Sequence, residues 1–233
     1  MICPICGTKN SKFAIKCDYC KSFLQNQIHV LNLFETLNEI ILTPTRAIHK
    51  IIISERKNYS ILLASLFGVA LTFDAFYLSN LGERVDNLAF LIFYGVVFGV
   101  VAGVLVLLLI SAIVRILLIF GDEQIKFKSI FALLSYLTFP ISLSIFFLLP
   151  AIFAVFGIYY FTESPKPQNF KPLQFYLFTG INLLLRLYSL VLITLALKYI
   201  TGSFIKGLIF ALFTSICVVV LLNLLTELFK FIL

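Results

Sequence analysis

Apolar residues run in long stretches with few charges along most of this chain, and short polar breaks separate them. From Tyr59 onward five such stretches follow: Tyr59–Leu81, Leu88–Ile119, Ile130–Phe161, Gln174–Ile200 and Gly207–Leu233. Each reaches the roughly 20 residues that a helix rising 1.5 Å per residue needs to cross a hydrocarbon core. Turn and charge signals fill the breaks, at Asn80-Leu81-Gly82-Glu83-Arg84, Gly121-Asp122-Glu123, Pro165-Lys166-Pro167 and Thr201-Gly202-Ser203. The pattern predicts an all-α membrane protein with a bundle of five transmembrane helices over residues 58–233. The third stretch is too long for a simple crossing, about 48 Å as one helix against a core of about 30 Å. It must tilt, kink at Pro140 or Pro150, or fold into two passes. Halves of about 16 residues are short for spanning, so five passes is the simplest count.

Residues 25–57 alternate differently. Val30, Leu33, Phe34, Leu37, Ile40 and Ile41 recur at helical spacing, with Asn32, Glu35, Thr36 and Glu39 opposite. Thr43-Pro44 interrupts this helix and starts a second, Thr43 as cap and Pro44 at the first position. The second piece carries Ala47, Ile48, Ile51 and Ile52 beside Arg46, His49, Lys50, Arg56 and Lys57. An amphipathic juxtamembrane linker of this kind is expected in the cytoplasmic headgroup layer, or else packed on the N-terminal module or a partner. His29 and His49 have no second ligand nearby and are expected to be ordinary polar-face residues.

Composition agrees with the pattern. Apolar residues make up 61% and charged residues 12%, with a mean hydropathy of +1.06, where soluble domains carry about 25% charged. This excludes a soluble enzyme, a disordered chain and a secreted disulfide scaffold. The net charge of +7 is sided. With the N-terminus in the cytoplasm, the inner segments hold Lys9, Lys12, Lys16, Lys21, Arg46, Lys50, Arg56, Lys57, Arg115, Lys126, Lys128, Lys198 and Lys206. The outer segments hold Arg84, Lys166, Lys171 and Lys230, and Arg186 lies within a span. A cytoplasmic N-terminus follows, in the inner membrane if the source is bacterial. A six-pass chain would keep that end inside and move the C-terminus. No secretory signal peptide is visible.

Residues 1–24 form a separate module. Cys3-Pro4-Ile5-Cys6-Gly7 and Cys17-Asp18-Tyr19-Cys20 give the spacing C-x2-C-x10-C-x2-C. Each C-x2-C turn can point two thiolates at one ion, and two turns complete a tetrahedral four-sulfur site. A cytoplasmic location argues against disulfides, and a redox motif needs no duplicate. One structural Zn2+ held by Cys3, Cys6, Cys17 and Cys20 is expected. With all four positions filled by Cys, the ion has no open site for catalysis. Cys217 lies in an apolar run and is expected to be an inert thiol.

Gly95, Gly99 and Gly103 recur every fourth residue in the second span. Such a face lets helix backbones approach closely in lipid. Packing within one chain is expected of it, with a homo-oligomeric seam as the alternative.

The stretch Thr43-Pro44-Thr45-Arg46-Ala47-Ile48-His49-Lys50-Ile51 precedes the first span, and Gly121 through Phe127 precede the third. Within the third stands Tyr136-Leu137-Thr138-Phe139-Pro140. The order of these motifs, carried by Pro44, Gly121, Tyr136 and Pro140, resembles the Yip family, the Rab/Ypt-interacting-protein membrane domain, over about residues 40–233. Where the family often has paired glycines, this chain has Gly121-Asp122. The resemblance implies five spans and a cytoplasmic N-terminus. It associates eukaryotic members with Rab GTPases and vesicle traffic. A zinc-ribbon front end is similar to the bacterial branch.

Charges inside a membrane are costly enough to mark candidate sites. Asp74 lies about 11 Å and Arg186 about 18 Å from the outer ends of their spans, an offset that a long arginine can bridge. An Asp74–Arg186 ion pair is predicted, with Asn182 as a third member. Glu227 and Lys230 are expected to reach the interface. No H-E-x-x-H, G-x-S-x-G or paired intramembrane aspartates occur, so no enzyme is expected. Four lysines without a basic-aromatic surface give no nucleic-acid partner. The expected function is a non-enzymatic membrane scaffold, docking a cytoplasmic protein through the zinc ribbon and basic linker, in membrane organisation or trafficking. The alternative is a small transporter or channel using Asp74, Arg186 and the Gly95/Gly99/Gly103 face.

Overall fold

A computed structural model describes residues 1–10, 14–24, 30–85, 87–121, 123 and 125–232; Lys12, His29 and Asp122 lie outside them. The elements are helices: α1 Leu33–Leu42, α2 Pro44–Ile53, α3 Ser60–Leu78, α4 Leu88–Phe120, α5 Phe127–Leu137, α6 Phe139–Phe156, α7 Pro167–Phe170, α8 Pro172–Thr201 and α9 Phe204–Ile232. Among the described residues there is no β-strand, and the N-terminal module has isolated bridges in its place. Five helical segments are long and apolar enough to cross a membrane: Ser60–Leu78, Leu88–Ile119, Phe127–Phe161, Pro172–Thr201 and Phe204–Phe231. Their outer faces stay apolar, with Phe93, Leu105, Leu184 and Leu224 exposed. A lipid-facing surface needs this inversion. The protein is an integral, multi-pass membrane protein.

Helix α3 is the axis, packed on by α4, α5, α6 and α9, while α8 packs on α6 and α9. Around it Phe67, Phe76, Tyr136, Phe161 and Phe229 are fully buried. Several hydroxyls inside this apolar core bond back to their own helix, as Thr72 Oγ1 donates to Gly68 O at 2.9 Å and Ser135 Oγ to Phe131 O at 2.8 Å. That satisfies polar groups for which lipid offers no partner.

The overlong third stretch is resolved by a break at Thr138. Pro140 cannot donate to the preceding turn, so α5 ends at Leu137 and α6 restarts at Phe139. Pro150, by contrast, is accommodated inside α6. The chain does not reverse at Thr138: α5 and α6 pack in succession along the same neighbours, α3 and α8, and barely touch each other. This is one bent pass, and the count is five.

Helix α2 behaves differently from a helix lodged in headgroups. Its apolar face, Ala47, Ile48, Ile51 and Ile52, is buried against α5 and α8 rather than against lipid. His49 Nδ1 lies 2.8 Å from the Tyr199 hydroxyl on α8, and Ser129 Oγ on α5 reaches Ile52 O at 3.4 Å. Helix α1 covers α2 through ion pairs from Lys50 Nζ to Glu35 at 2.6 Å and to Glu39 at 3.3 Å. It turns Phe34, Ile41 and Leu42 outward.

Candidate metal centre and intramembrane ion pair

The two halves of the N-terminal module are near copies. Cys3 N donates to Thr8 O at 3.0 Å, and Cys17 N to Ser22 O at 2.8 Å; Gly7 N reaches Cys3 O and Lys21 N reaches Cys17 O, each at 3.0 Å. Each knuckle needs a left-handed residue just after its second cysteine. Gly7 supplies it freely at φ 72°, whereas Lys21 adopts φ 60° and donates its Nζ to Asp18 O at 2.7 Å. Asn10 ties the knuckles together, accepting from Asp18 N at 2.9 Å.

The result brings Cys3, Cys6, Cys17 and Cys20 together, with all four Sγ atoms within 4.8 Å of one another. Across the knuckles, Cys3 and Cys20 are 3.6 Å apart and Cys6 and Cys17 3.5 Å. Sulfurs about 2.3 Å from a tetrahedral ion would be about 3.8 Å apart, so the set is compatible with one bound metal. The Ser22 hydroxyl pulls the Cys3 thiol down to about 6. Cys17 is also lowered, chiefly by the Cys20 backbone N–H. Cys6 moves up: the Thr8 hydroxyl pulls it down, but burial and the neighbouring Cys20 and Cys17 outweigh that. Cys217, half-buried on α9, forms no disulfide.

In the bundle, Arg186 on α8 donates to Asp74 on α3, and its Nε donates to Asn182 Oδ1 at 3.0 Å. The three predicted residues therefore meet. The guanidinium turns along α8 toward Asn182, which closes the depth offset between Asp74 and Arg186. Beside them lies a small cavity of about 30 Å³ lined by Asp74, Ser144, Tyr160 and Asn182 among apolar residues. Ser144 and Tyr160 carried no motif; their polarity inside an uncharged stretch was the available signal. At the far end, Lys230 pairs with Glu227 at 2.8 Å and its carbonyl accepts from Arg84.

The glycine face meets α3 of the same chain. A Cβ on Gly95 would stand 2.6 Å from Phe73 Cζ, and one on Gly99 2.5 Å from Val69 Cα. Gly68 completes the seam from the α3 side, where a Cβ would overlap Gly99 and Gly103. The matching stripe on α3 is readable as the small residues Ala64, Gly68 and Thr72 at every fourth position.

A family model described as the Yip1 domain matches residues 38–226. The chain belongs to the Yip family. The match covers the bundle and α2 and leaves the four-cysteine module outside it. No curated protein and no solved structure matches the chain. Within the Yip domain, the four motif residues all sit at helix junctions. Pro44 opens α2, Gly121 closes α4 with its N–H 3.2 Å from Leu117 O, and Pro140 opens α6. Tyr136, fully buried, donates its hydroxyl to Asn58 O at 2.8 Å, joining the end of α5 to the approach to α3.

Proposed function

We propose that this Yip-family protein is a non-enzymatic membrane scaffold, whose N-terminal module holds one structural zinc ion and docks a protein partner at the cytoplasmic face. The observation that carries this is the exposure of the knuckle tips. Ile5 and Tyr19 occupy equivalent places in the two knuckles and are 73% and 79% exposed. Ile2 and Phe23 are exposed as well. A module this small has no core to hide such residues in, and exposed apolar side chains held on a metal-fixed turn suit a protein surface. The linker contributes less to docking than its charge suggests, because Lys50 and Arg46 are engaged by Glu35 and Glu39 and α2 is buried. Its role is to seat the module on the bundle. The sided Lys and Arg distribution supports the cytoplasmic orientation.

Transport has weaker support: the cavity at Asp74 is small, and the glycine face is filled by α3. Crosslinking in native membranes tests the scaffold. A reproducible soluble partner should be lost on Ile5→Ser/Tyr19→Ser substitution while zinc content is retained. Partner-free protein that passes ions or solutes in liposomes would replace the scaffold with a transporter.

A further inference from the structure

A cleft of about 880 Å³ separates the four-cysteine module from the adjacent end of the bundle. Its walls bring together four stretches far apart in sequence. The module gives Lys16 and Lys21, the approach to α3 gives Lys57, the end of α4 gives Arg115, and the start of α5 gives Lys126 and Lys128. The carboxylates in the wall are Asp18 and Glu55, so positive charge prevails. Three of the cations are partly engaged: Lys16 lies over the Phe23 ring, Lys21 on Asp18 O, and Lys57 on Ile51 O and Ile52 O. Arg115, Lys126 and Lys128 are exposed and have no hydrogen-bond or ion-pair partner among the described residues. Burial, then Lys128 and Lys126, lower Lys57 to about 7; the cations are crowded enough to oppose one another.

The apolar part of the wall says what sort of anion fits. Ile119 and Ile125 line the same cleft. Along α4, Val101, Leu105, Leu109, Ile116 and Ile119 are all exposed, and helical spacing places them on one face with Arg115. A continuous apolar stripe thus rises along a membrane span and ends among these cations. A soluble anion would use the cations and have no use for the stripe. We propose that this cleft binds an anionic glycerophospholipid, its phosphate held by Arg115, Lys126 and Lys128 and its acyl chains laid along the exposed face of α4. The start of α5 adds the positive end of a helix dipole to the phosphate site.

The test uses the full-length protein in detergent, offered phosphatidylglycerol and phosphatidylcholine with the same acyl chains at equal mole fraction, with retention read by native mass spectrometry. Phosphatidylglycerol should be favoured by about tenfold. Arg115→Gln/Lys126→Gln/Lys128→Gln should bring that ratio near one, while Lys166→Gln/Lys171→Gln at the other end of the bundle leaves it unchanged. Equal retention of both lipids by the unmodified protein, or an undiminished preference in the triple variant, would overturn the proposal. Displacement of the lipid by an equal concentration of glycerol phosphate would also overturn it, in favour of a soluble phosphate. A photoactivatable phosphatidylglycerol keeps the test independent of how the variant folds. On the unmodified protein it should label peptides within 115–128, and labelling confined to other helices would refute the site.

Discussion

Gly68 and Gly103 lie backbone to backbone across the α3–α4 seam, so close that a Cβ on Gly103 would stand 2.5 Å from the Cα of Gly68. Neither backbone can yield as a flexible side chain would. Gly103→Leu should therefore force the helices apart and destabilise the bundle by roughly 1–3 kcal/mol or more, the cost of overpacking. Gly180→Ala on α8 meets nothing within 4 Å and should leave stability unchanged or raise it by about 0.5–1 kcal/mol. Thermal melting of both variants in the same detergent reads the contrast.

The pair of Asp74 and Arg186 gives the second expectation. Asp74→Ala leaves a guanidinium inside the membrane domain without its partner, at a cost on the order of 2–4 kcal/mol. Asp74→Arg should be worse. Combining it with Arg186→Asp should restore much of the lost stability, and a double reversal no better than the single would remove the pair from the stabilising contacts.

Removing metal separates the two parts of the chain. Chelation, or Cys17→Ser, should unfold the module and abolish zinc binding, since small metal-held modules lose their fold with the ion. The Yip domain should keep its melting temperature, because the module lies outside its core. Cys217→Ser should change neither zinc content nor melting. Elemental analysis alongside circular dichroism would show both outcomes.

The α1–α2 clamp has a pH signature. Hydrogen bonding from Lys50, with its charge, holds Glu35 below its ordinary value of 4.5. A carboxylate lowered by folding stabilises the fold above its ordinary value and loses that contribution as pH falls through the lowered one. Lys50 is raised, burial being outweighed by Glu35 and Glu39, so its contribution is present at neutral pH and lost only at strongly alkaline pH. Amide exchange in α1 should therefore be slow near pH 7 relative to its intrinsic rate and lose protection below about pH 4. Lys50→Met should remove that dependence.

Much of this molecule was legible in the sequence because its solvent is so selective. Apolar stretches of sufficient length mark the five spans, and the two charges deepest within them, Asp74 and Arg186, had few places to go except toward each other. Cysteine spacing likewise announced a four-sulfur set. The break in the third stretch was harder to place, since Pro140 and Pro150 look alike in a sequence and only Pro140 ends a helix. The burial of α2 escaped periodicity because an apolar stripe looks the same whether lipid or α5 covers it. The cationic cleft was invisible for a different reason: Lys57, Arg115 and Lys126 are made neighbours by the fold alone.

Two backbones in contact leave no layer of side chains to slide over one another. Helices α3 and α4 must therefore tilt and shift as a single plate, with Gly68, Gly99 and Gly103 as its rivets. Any change of shape in the membrane domain is left to the helices around that plate, and to the joint at Thr138, where the third pass can bend without tearing a continuous ladder of hydrogen bonds.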